Sequence, residues 1–97
     1  MDQKTDPKNV EIKVDEAVAL GQYASLAAIR HSREEFLFDF AFLFPDGPFG
    51  KLVARIIVSP AHAKRFLEAL QANVKRYEDQ FGTIIPADMP PTVDFIQ

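Results

Sequence analysis

The chain has 97 residues, a length that holds one domain rather than two. Its content, 47% hydrophobic and 26% charged, is that of a soluble globular domain and excludes a disordered tail or a collagen-like repeat. It has no cysteine, which excludes disulfides, thiolate nucleophiles and cysteine-type metal sites, and its net charge of −3 supplies no overall field for nucleic acid or anionic lipid.

The first residues, MDQKTDPKNVE, are polar and mixed in charge, without the apolar core of a signal peptide. The longest apolar stretch, around Phe36 and Phe44, is broken by Asp39 and closed by Pro45. It falls far short of the roughly 20 residues a membrane-spanning helix needs. A cytoplasmic protein without a membrane partner is the expectation. Residues 1–8 read as a mobile lead-in, residues 9–85 as a single domain, and residues 86–97 as a proline-led tail.

Val10, Ile12 and Val14 alternate with Glu11 and Lys13, the two-residue period of a half-buried first strand. Residues 15–20 (DEAVAL) fit one helical turn or a wide connection, which Gly21 ends. Residues 22–30 (QYASLAAIR) read as a second strand because a clear hairpin partner follows, although their alanines also favour helix. That partner is residues 35–44, with Phe36, Phe38, Phe40, Phe42 and Phe44 at every second position and Leu37, Asp39, Ala41 and Leu43 between them. With Ser32 and Arg33 as loop residues, Ala27 lies opposite Phe38 and Ser25 opposite Phe40, small beside large.

Pro45, Asp46, Gly47 and Pro48 mark a turn, and residues 51–58 (KLVARIIV) follow as a fourth strand. One antiparallel register pairs Asp39 with Arg55, Leu37 with Ile57 and Ala41 with Val53. It satisfies the two charges inside these strands, and a guanidinium can grip a carboxylate with two prongs. A helix then starts at an N-cap, Ser59, with Pro60 at its first position. Ala63, Phe66, Leu67, Leu70, Val74, Tyr77 and Phe81 line one of its faces, and Gly82 stands where a left-handed C-terminal cap belongs.

The expected fold is therefore α+β: a four-stranded antiparallel meander followed by one long amphipathic helix, ββββα. One helix covers one sheet face. The phenylalanine face needs covering, yet the opposite face, with Leu26, Leu37, Leu43, Val53 and Ile57, is also too apolar to stay wet. A chain this small buries a limited share of its surface alone. Self-association, most simply as a two-fold dimer, is the expected solution.

Candidate chemistry is thin. His31 lies in a turn and His62 near a helix start, on different elements, so a metal or acid–base pair is less plausible than two surface histidines. The doublets Glu34-Glu35 and Glu78-Asp79 point their members to different sides. Ser25 has no histidine or acid company, and Ser59 serves as a cap. No glycine-rich phosphate loop, zinc or calcium motif occurs. Asp39 with Arg55 reads better as a device setting geometry than as a catalytic acid and anion clamp. No enzyme, metal or cofactor is expected. Lys64, Arg65, Lys75 and Arg76 along the helix, beside an aromatic sheet, support only a minority reading as a nucleic-acid accessory protein.

The segments YASLAAIRHSREEFLFDFAFLFP (23–45) and ARIIVSPAHAKRFLEALQANVKRYEDQFG (54–82) resemble the uncharacterised bacterial family known as domain of unknown function 3467. The likeness spans residues 9–85 and rests on the tyrosine–small–leucine strand, the His-Ser turn, the Glu-Phe…Asp-Phe strand, the Ser-Pro-x-His-x-Lys-Arg helix start and the closing Tyr-Glu-x-x-Phe-Gly. The family pattern has proline where Arg33 stands, which bears on the first hairpin turn. The resemblance implies a small stand-alone bacterial domain and carries no activity. At the level of fold only, strands followed by a long helix in dimers are similar to the SecB-type export chaperones, an analogy without functional weight of its own.

The leading expectation is a non-enzymatic, homo-oligomeric interaction module. Its working surface would comprise Leu26, Leu37, Asp39, Leu43, Val53, Arg55 and Ile57, with Val93, Phe95 and Ile96 of the tail as a ligand arm for a neighbouring chain. Its partners would be itself and possible extended peptides of other proteins. A holder of unfolded segments is the alternative.

Overall fold

The computed structural model describes residues 9–88 and 92–96. The lead-in at 1–8 and the tail prolines Pro90 and Pro91 lie outside the described residues, as do Met89 and Gln97. The elements are α1 (Glu16–Ala19), β1 (Leu26–His31), β2 (Phe36–Leu43), β3 (Gly50–Val58) and α2 (Pro60–Phe81). The protein is α+β, with a three-stranded antiparallel sheet in the order β1-β2-β3 and a C-terminal helix. The chain forms two compact units, Met1–Ile57 and Val58–Gln97.

The expected fourth strand is not found among the described residues. Residues 10–14 belong to no strand, and Val10, Ile12 and Val14 are 78%, 80% and 63% exposed. Alternation equips a segment for a sheet, but a strand exists only where a neighbouring edge takes its N–H and C=O groups. Residues 15–20 resolve as the helical option. Asp15 O accepts from Val18 N and Ala19 N, and the single turn of α1 follows.

β1 starts at Leu26, not at residue 22. Just before it, Ser25 donates its N–H to Ala41 O, and its hydroxyl accepts from Leu43 N. The side chain thus takes a bond that a further ladder residue would have taken. Tyr23 stands edge-on to Phe42, with ring centroids 6.0 Å apart.

The β1/β2 register also differs from expectation. Ala27 faces Phe40 rather than Phe38, Ala28 faces Asp39, and Arg30 faces Leu37. The reason lies in the turn. Ser32 N donates to Glu35 O, so Ser32 and Glu35 close the hairpin and Arg33-Glu34 form its tip. Ser32 Oγ accepts from both Glu34 N and Glu35 N, which holds the tip without any non-glycine residue at positive φ. A slip of two residues leaves every side chain on its expected face, which is why alternation could not detect it.

Burial concentrates in the central strand: Phe38, Asp39 and Ala41 are the buried residues of β2. β3 begins at Gly50 for a steric reason. A Cβ there would lie 2.6 Å from the carbonyl oxygen of Phe42 and 3.2 Å from Leu43 Cα.

In the second unit, α2 starts as expected. Ser59 Oγ accepts from His62 N, and Pro60 occupies the first turn. Gly82 ends the helix with φ 103° and ψ 168°, outside the left-handed helical region and in territory essentially reserved for glycine. Glu78 completes this end. Its backbone O accepts from Gly82 N, and its Oε2 accepts from Ile84 N. Lys75 and Asp79 form an exposed pair one turn apart.

Candidate functional site

The most organised polar group lies on one face of the sheet, with one residue from each strand. Asp39, in the middle of β2, is fully buried. Its Oδ1 accepts from Arg55 Nε at 2.7 Å, and its Oδ2 accepts from Arg55 Nη2 at 3.1 Å. The same Oδ2 accepts from Arg30 Nη2 at 2.8 Å. Arg55 of β3 therefore grips the carboxylate with two prongs, as expected, while Arg30 of β1 adds a third contact that was not expected.

Arg30 was legible in principle. It is a charge inside β1 on the same face as Asp39. In the observed register it stands opposite Leu37, one diagonal step from Asp39. In the expected register Leu26 stood opposite Asp39 and Arg30 lay out of reach. Requiring every interior charge to find a partner would have selected the correct pairing.

The electrostatics follow from this geometry. The Asp39 carboxyl is held below the usual carboxylate range, first by its hydrogen bond from Arg55, against the opposing effect of burial, and then by the charges of Arg55 and Arg30. The Arg55 guanidinium is held more firmly protonated, chiefly through the same hydrogen bond. Both carboxylate oxygens are engaged by guanidinium N–H groups. Such a carboxylate is a poor proton acceptor at neutral pH, and its role is to tie three strands together. The side chains are 54% exposed for Arg30 and 32% for Arg55.

Leu26 faces Ala41 in the ladder, which places it with Leu37, Asp39 and Leu43 on one face. Val53 and Ile57 flank Arg55 at two-residue spacing on β3. Leu26, Leu37, Leu43 and Val53 are half-buried, whereas Ile57 is exposed. In the tail, Phe95 is half-buried while Val93 and Ile96 are exposed.

His31 ends β1 with its ring stacked on Phe36, centroids 5.3 Å apart, and His62 lies in the first turn of α2. His31 also borders an open depression of about 230 Å³ at the hairpin end, together with Arg30, Ser32, Glu35 and Leu37. Among the described residues, no group of three or more His, Asp or Glu side chains is placed to hold a metal. No helix among them is long and apolar enough to cross a membrane.

No curated protein and no solved structure matches the chain. A family model does, over residues 1–85, and its description is "Protein of unknown function (DUF3467)". With the Ser-Pro helix start, the Asp-Phe strand and the His-Ser turn all in place, the chain belongs to the DUF3467 family.

Proposed function

We propose that this protein is a self-associating protein-interaction module and not an enzyme. The carrying observation is the apolar stripe of α2. Leu67, Leu70, Val74, Tyr77 and Phe81 are 51%, 50%, 37%, 51% and 67% exposed, although they recur at the spacing of one helix face. Scattered apolar residues on a surface need no explanation, but a continuous stripe of large ones does. Ile29, Ile56 and Ile57 add exposed apolar surface in the sheet. Burial against a second copy of the chain removes both from water, and a two-fold arrangement uses the same patch twice.

The Asp39 cluster fits this reading. A buried carboxylate held by two arginines stiffens the sheet and presents a defined face, and buried ion pairs are better attested as devices of specificity than of stability. The test is absolute mass by light scattering behind a sizing column. The expected result is an integer multiple of the chain mass that persists on dilution to micromolar concentration. A clean monomer refutes the proposal.

A further inference from the structure

The segment at residues 9–14, NVEIKV, has the pattern of a strand and no strand partner among the described residues. We infer that it pairs, antiparallel, with the open β1 edge of a second copy of the chain, supplying there a fourth strand in trans. The inference rests on the self-association proposed above and adds a strand contact to the helix-stripe contact argued there.

Four observations carry it. First, Val10, Ile12 and Val14 lie on alternate positions and are all more than half exposed, although the sheet of the same unit is folded. Second, the sheet has three strands among the described residues, so within these β1 offers one unpaired edge of N–H and C=O groups along Leu26–His31. That edge is six residues long, the length of the segment. Third, β1 is built to take a bulky neighbour. Ala27 is small, and Ile29, on the same face, is 57% exposed. Fourth, the charges agree. Arg30 donates to Asp39 through Nη2 alone, and its side chain is half exposed, so its remaining N–H groups are open to a second carboxylate.

One antiparallel register uses all four. It sets Glu11 beside Arg30, Ile12 beside Ile29 and Val14 beside Ala27. The apolar side chains of the segment then extend the phenylalanine face, and Glu11 joins the charged one. Edge addition of this kind takes its affinity from main-chain hydrogen bonds and its specificity from alternate side chains. β3 offers the other edge. Its arginine already commits Nε and Nη2 to Asp39, which leaves Glu11 fewer donors there.

The chain has no cysteine, so an engineered pair reports without background. The full chain carrying Ile12→Cys and Ile29→Cys is oxidised and run on a denaturing gel, with Ile12→Cys/Ile56→Cys beside it. A covalent dimer in the first and not in the second is expected. A disulfide within one chain, or a dimer only in the second, overturns the inference. Ile12→Asp in the otherwise native chain keeps the result decisive if oxidation yields no cross-link. Association weakened by at least about tenfold supports the pairing, and unchanged association overturns it. An oligomeric wild type with unchanged Ile12→Asp removes this inference and leaves the proposed function standing, whereas a monomeric wild type removes both.

Discussion

Leu70→Ala tests the proposed interface at its middle. Leu70 is 50% exposed within the chain, so about half of its burial free energy is still available to an interface. Full burial of a leucine side chain is worth about 1.5–3 kcal/mol, which leaves roughly 0.8–1.5 kcal/mol per copy. A two-fold dimer loses that amount twice, about 1.5–3 kcal/mol in total. The dissociation constant should therefore rise roughly 10- to 150-fold. Alanine keeps the helix propensity of leucine, so the helix itself is preserved. The assay is a dilution series read by sedimentation velocity, with Gln71→Ala, one residue along on the polar side, as the control. An unchanged dissociation midpoint for Leu70→Ala, or an equal shift for Gln71→Ala, would falsify the assignment of this stripe to the interface.

Four further outcomes follow from the geometry. Because the Asp39 carboxyl is held low in the fold, its contribution to stability is complete above its unfolded value, about 3.9, and is lost as pH falls through the folded value. The wild-type melting temperature should therefore drop more steeply than that of Asp39→Asn as pH is lowered below about 4, and parallel profiles would refute the linkage. Arg55→Ala should lower the melting temperature more than Arg30→Ala, since Arg55 makes two of the three bonds and is the less exposed; the reverse order in a thermal scan would contradict this. Gly50→Ala should destabilise by about 1–3 kcal/mol in urea titration, because the new Cβ meets backbone of β2; a raised midpoint, the usual result of Gly→Ala at a roomy site, would show that the strands can part there. Ser59→Ala should cost about 1 kcal/mol and speed hydrogen exchange in the first turn of α2, while Ser59→Asp should restore protection; equal exchange rates in all three proteins would deny the cap its role.

What was legible in the sequence is what short-range physics controls. The alternation of Phe36, Phe38, Phe40 and Phe42 made β2 a strand wherever the chain went, because a period of two serves no helix face. Ser59, Pro60 and Gly82 bounded α2 through local geometry alone, a hydroxyl cap, a missing N–H and a positive φ. Asp39 and Arg55 identified each other as the charges that an apolar sheet face could not leave single. The tertiary structure decided what depends on pairing across distance. Alternation assigns faces but is blind to a slip of two, so the β1/β2 register and the recruitment of Arg30 rested on how Ser32 closes its turn. Alternation likewise marked residues 10–14 as fit for a sheet, yet a strand is completed by its neighbour, and this chain does not supply one among its described residues.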